Sequence, residues 1–196
     1  MAEERIIYSG ILVIGGSAGS LEVLLHLLPK LNPKLMLPLV VVIHRKVSHD
    51  NSLTELLATR SALPVKEAEE KEKLLPGIVY VCPADYHLLI EKDHTFSLDF
   101  SEKINFSRPS IDVTMQSAAE AYGAGATGIL LSGASIDGTG GLRSIGEKNG
   151  FTVVQEPEDA EVAYMPKQAI DAGVAKLILH RDGLAAFINN LSPLFY

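Results

Sequence analysis

The chain has 196 residues, 47% of them hydrophobic, with 16 glycines and 10 prolines. That is enough apolar surface for a substantial core and too little low-complexity sequence for disorder. A formal net charge of −7 argues against nucleic acid or an anionic membrane surface as the main partner, and the single cysteine, Cys82, leaves no intrachain disulfide.

The first residues, MAEERIIYSG, lack the basic-then-apolar layout of a signal peptide. No apolar run reaches the ~20 residues of a membrane span, so a cytoplasmic protein without membrane insertion is expected. Residues 11–14 (ILVI) read as a first strand, and Leu21, Leu24, Leu25 and Leu28 form a helix face closed by Pro29. LVVVI, residues 39–43, is apolar at every position, as in a parallel strand covered on both faces. Residues 52–60 predict a helix and 63–65 a short strand. GIVYVCP, YHLLIEK and TFSLDF are short β-like runs between turn residues, and predict antiparallel hairpins added to the main sheet.

RPSIDVTMQSAAEAYG predicts a helix with Ser110 as its cap, Asp112 in its first turn and Gly123 at its end. TGILLS is another buried strand, followed by a glycine-rich turn and a helix over 140–148. FTVVQ, a helix near 166–172, VAKLIL and a helix over 184–191 complete the alternation. Together these predict an α/β fold in one domain spanning 1–196. The expected architecture is doubly wound, with a mostly parallel sheet, helices on both faces and an antiparallel hairpin addition.

In such sheets function gathers beyond the carboxyl ends of the strands. Three strand ends deliver Ser17, His44 and Asp137, a set in which a histidine takes the serine proton while an aspartate orients the imidazolium. Gly15-Gly16-Ser17-Ala18-Gly19 fits the G-x-S-x-G elbow that raises a nucleophilic serine. The same residues also fit a phosphate cradle or a plain tight turn, although the second strand ends in His44 and not in the acidic residue of a dinucleotide site. Asp112 competes with Asp137 for the third place, but the first turn of a helix already accounts for it. His26 and His94 read as surface or satisfied side chains, His87 as structural and Cys82 as a small buried hydrophobe. His49 with Asp50 lacks companions at metal-ligand spacing.

Six segments, in order, resemble the catalytic domain of the chemotaxis protein-glutamate methylesterases, the CheB family. They are VIGGSAGSLEVL, VVVIH, LPGIVYVCPADYHLLI, SRPSIDVTMQSAA, GILLSGASIDGTGGL and VVQEPEDAEVAYMPKQAI. The resemblance implies Ser17 as nucleophile, His44 as general base then acid, and Asp137 as orienting carboxylate. It implies oxyanion donors at the backbone N–H groups of Ala18 and Ala134. It further implies hydrolysis of glutamate methyl esters on chemoreceptor cytoplasmic helices, with glutamine deamidation by the same machinery, and no metal or cofactor. Ala134, Ser135 and Ile136 depart from the family's loop, and a positive φ at Ser135 would strain a serine. Ser20 replaces a family glycine, and the family's Met-Pro does not follow His44. The family's receiver domain is not expected within this chain. A non-catalytic relative that binds a receptor is the competing expectation.

Overall fold

The computed structural model describes residues 8–45 and 52–193. The elements are β1 (Tyr8–Ser9), β2 (Ile11–Gly16), α1 (Ser20–Leu27), β3 (Leu39–Ile43), α2 (Ser52–Arg60), β4 (Val65–Glu67), β5 (Val79–Val81), β6 (His87–Ile90) and β7 (Phe96–Asp99). They continue with α3 (Ile111–Tyr122), β8 (Ala126–Leu130), α4 (Thr139–Glu147), β9 (Phe151–Gln155), α5 (Tyr164–Asp171), β10 (Leu177–Leu179), α6 (Arg181–Asn189) and β11 (Ser192–Pro193).

Seven parallel strands form the main sheet in the order β10-β9-β8-β2-β3-β5-β4. The alternation of side chains along each strand feeds two cores. Ile11, Val13, Val40, Val42 and Tyr80 pack on one face, under α3, α4 and α5. Leu12, Ile14, Leu39, Val41, Val79 and Val81 pack on the other, under α1, α2 and α6. This is the doubly wound architecture that the apolar runs predict, and it explains why LVVVI carries no polar position.

Three expectations are corrected. GIVYVCP does not enter a hairpin: Val79–Val81 pairs in parallel with both β3 and β4 inside the main sheet. All three of its residues are buried, so both faces are covered and an edge hairpin would leave one of them wet. Of the three runs, only β6 and β7 pair antiparallel. The buried face of α1 is also rotated. Val23, Leu24 and Leu27 are its buried apolar residues, whereas Leu21 and Leu25 are half-buried. The strand predicted at 63–65 forms at Val65–Glu67.

The hairpin is fastened to α3. Thr114 Oγ1 donates to the Leu88 carbonyl at 2.8 Å, and Ser117 Oγ accepts from Ile90 N–H at 3.0 Å. Phe96 meets Tyr80 of β5 edge-on, with ring centroids 4.9 Å apart. From this anchored hairpin the chain crosses to α3 through residues 100–110, over the carboxyl ends of β2 and β3.

Candidate active site

β2 lies between β3 and β8, where the strand order reverses, and its carboxyl end opens into the expected crevice. The chain leaves β2 through an elbow. Ser17 N–H donates to the Ser132 carbonyl at 2.9 Å, and the hydroxyl of Ser20 donates back to the Ser17 carbonyl. Gly19, the N-cap of α1, has φ of 80°, a left-handed conformation that side chains disfavour. The helix therefore starts immediately behind a half-buried Ser17.

β3 ends at Ile43, and His44 N–H donates to the Gly16 carbonyl at 3.1 Å, tying the histidine to the elbow. Its Nε2 lies 2.7 Å from Asp137 Oδ2. Asp137 is fully buried and follows β8 in the turn before α4. Four groups surround its carboxylate: His44, the Ser110 hydroxyl at 2.9 Å, Ile111 N–H at 2.7 Å and Asp112 N–H at 3.0 Å. Burial works against its ionisation, but the hydrogen bonds from His44 and the first N–H groups of α3 outweigh that penalty. The Asp137 carboxyl is held below the ordinary carboxylate value. An ionised carboxylate only accepts, so Nε2 carries the imidazole proton and Nδ1 presents its lone pair.

Ser107 Oγ lies 3.3 Å from that Nδ1. Among the described residues no hydrogen bond joins Ser17 Oγ to His44, although both side chains line one cavity of about 790 Å³ with Ser107, Ala134, Ile136 and Tyr164. Sequence reasoning missed Ser107. A serine in an irregular crossing carries no periodicity or motif, and the adjacent arginine was its only signal. Arg108 donates to Asp85 at 2.8 Å and to the Phe100 and Ser101 carbonyls at 3.1 and 2.6 Å, which pins the crossing segment over the site.

Asp112 does not reach His44. Its Oδ1 accepts Gly138 N–H at 2.9 Å and Gly141 N–H at 2.6 Å, capping α4. Burial and the neighbouring Asp137 charge push its carboxyl up to about 6. Ala18 and Ala134 are exposed, and among the described residues neither backbone N–H has a partner, so both are free to donate. Ser135 does not have positive φ. Its hydroxyl accepts Asp137 N–H at 3.1 Å, so the strain anticipated for a serine there is absent.

The other singled-out side chains have structural partners. His87 is buried, with Nε2 3.0 Å from the Glu102 carbonyl and Nδ1 accepting Ser110 N–H. His26 lies 2.7 Å from Asp182, and His94 stacks on Tyr122. Cys82 is buried, and desolvation pushes its thiol far up, away from nucleophile chemistry. His49 and Asp50 lie outside the described residues. Among the described residues no three metal-capable side chains cluster, and no helix is long and apolar enough to cross a membrane.

Fold and site together define a doubly wound α/β protein in which a serine, a histidine backed by a buried aspartate, and the exposed Ala134 line one crevice, with Ala18 next to the serine. The CheB methylesterase family model matches residues 12–188. A relative from Leptospira interrogans is 44% identical over 174 residues, covering 89% of this chain and 90% of its own. Protein-glutamate methylesterase/protein-glutamine glutaminase 1 of Carboxydothermus hydrogenoformans is 38% identical over 180 residues, 89% of this chain and 53% of that protein. The crystal structure of the Thermotoga maritima CheB methylesterase catalytic domain superimposes with a TM-score of 0.89 at 34% identity, covering 93% of this chain and 98% of that one. The chain belongs to the CheB methylesterase family.

Proposed function

We propose that the protein hydrolyses glutamate methyl esters on the cytoplasmic helices of chemoreceptors, with Ser17 as nucleophile, and that residues 1–196 act as one catalytic domain. His44 Nδ1 takes the Ser17 proton as Oγ attacks the ester carbonyl. The backbone N–H groups of Ala18 and Ala134 receive the oxyanion, where fixed donors commonly supply the largest single contribution. His44 then passes the proton to the departing methoxide, and methanol leaves. Water, deprotonated by the same nitrogen, cleaves the acyl-serine and frees the glutamate carboxylate. Deamidation of glutamine follows the same steps with ammonia leaving. The reading places the reaction in the cytoplasm and routes no step through a metal or cofactor.

The observation that carries this reading is the 2.7 Å contact between His44 Nε2 and buried Asp137, which orients Nδ1 into the cavity that Ser17 lines. Its test is to incubate the protein with methyl-labelled receptor membranes and count released methanol. Release that disappears in Ser17→Ala supports the reading. Undiminished release by Ser17→Ala removes it.

A further inference from the structure

The cavity over Ser17 adjoins a second one of about 400 Å³, with His44, Phe106 and Ser107 as their common wall. The remaining wall carries Arg45, Lys103 and Arg108 against a single carboxylate, Asp85. With Glu67 paired to Arg45 behind this wall, three cations meet two carboxylates, a net positive spot on a chain whose formal net charge is −7.

The cations are not equally committed. Arg108 is matched by Asp85 at 2.8 Å and holds two backbone carbonyls, so its role is structural. Arg45 reaches Glu67 at 3.1 Å and the Cys82 carbonyl at 3.3 Å, but its Nε is buried with no partner among the described residues. A buried donor without an acceptor is costly unless something supplies one. Lys103 is exposed and pairs with no carboxylate among the described residues. The Lys103 charge and the Arg45 Nε donor therefore remain without a partner among the described residues, one wall away from the reacting centre.

We infer that this second cavity is a subsite for a carboxylate side chain of the substrate polypeptide, close in the chain to the residue bearing the ester, with Lys103 and Arg45 as its cations. The inference rests on the ester-hydrolase reading for the identity of the ligand. A polypeptide whose ester occupies the first cavity brings its own neighbouring side chains to the second, and the anionic ones among them are Asp and Glu. Phe106, exposed at the shared wall, then separates the two side chains. Because Lys103 is exposed, the attraction weakens with added salt.

The test uses two peptides that share one γ-methyl-glutamate and differ only in its neighbours, Glu in one and Gln in the other. At low salt the wild type should prefer the acidic peptide by about fivefold in kcat/KM, carried by KM, the size of one partly exposed charge pair. Lys103→Glu, a surface change that disturbs no packing, should abolish or invert that ratio, and Arg45→Gln should lower it. Equal kcat/KM for the two peptides, or a preference that survives Lys103→Glu, overturns the subsite. If neither peptide is hydrolysed, the ester-hydrolase reading fails separately. Fluorescence anisotropy of the labelled peptides then decides the subsite by the same ratio in Kd.

Discussion

Asp112 and Asp137 each cap the helix beside the other. Asp112, in the first turn of α3, accepts Gly138 and Gly141 N–H at the start of α4. Asp137, just ahead of α4, accepts Ile111 and Asp112 N–H at the start of α3. The exchange satisfies donors that helix ends otherwise leave free, and it places each carboxylate at the positive end of a helix dipole. It also locks the Asp137 loop to α3, so the partner of His44 is fixed by two helices and not by its own loop alone.

Replacing Asp137 by Asn should leave the fold largely in place while the amide no longer holds the histidine with Nδ1 as its free base. The expected loss in esterase kcat/KM is about 10³–10⁴-fold, as for an orienting aspartate in a serine triad. Ser110→Ala removes one donor to Asp137 and the cap of α3 together. It should cost roughly tenfold in rate and about 1 kcal/mol in stability, measured by denaturant unfolding. Because the two act on one carboxylate, Ser110→Ala should cost little further rate in an Asp137→Asn background. Full additivity would contradict the shared role.

The two carboxyls respond to pH in opposite directions. Asp112 sits at about 6 in the folded protein against 3.8 ordinarily, so its ionisation erodes stability as pH rises from about 4 through 6. Asp137 is lowered, so its contribution is present above the ordinary carboxylate value and is lost as pH falls through its folded value. Asp112→Asn keeps an acceptor for Gly138 and Gly141 and removes the charge that repels Asp137. Relative to wild type, its unfolding free energy should climb by on the order of 1 kcal/mol between pH 4 and 7. A difference that is flat across that window would refute the assignment.

Ser17 and Ser107 both line the catalytic cavity with His44, and mutation separates their roles. Ser17→Ala should lose about 10³-fold or more, as a nucleophile does. Ser107→Ala removes a single hydrogen bond to His44 Nδ1 and should change the rate by less than about tenfold in either direction. The reverse order would move the nucleophile to Ser107.

The loop over residues 134–136 departs from the family pattern without strain, since Ser135 keeps ordinary φ and Gly138, at φ of 97°, takes the left-handed turn. Substituting Ala134→Met, Ser135→Gly and Ile136→Asn together should therefore improve kcat/KM by less than about tenfold. A gain of roughly 10²–10³, the worth of a misaimed oxyanion donor, would show that this loop is impaired.

Much of this arrangement is legible in the residues. LVVVI could only be a doubly covered strand, and three strand ends carried Ser17, His44 and Asp137 before any pairing was known. VYV suggests a hairpin because three apolar residues reveal neither the direction nor the partner of their pairing, which the buried β3 and the half-buried edge strand β4 impose. The residues identify Ser110 as a cap, but its second bond, to Asp137, depends on a loop 27 residues away in sequence. The exchanged caps of Asp112 and Asp137 escaped for the same reason. Asp112 is explained locally by its helix turn and Asp137 by its place at a strand end with Ser17 and His44, and the reciprocity exists only once α3 lies beside α4.

The most direct measurement is to quench the protein during turnover of a γ-methyl-glutamyl peptide and locate the acyl group by peptide-mapping mass spectrometry. A peptide-mass adduct should appear on Ser17, decay with water and be missing in His44→Ala. An adduct on Ser107, or methanol release that continues in Ser17→Ala, would contradict Ser17 as the nucleophile.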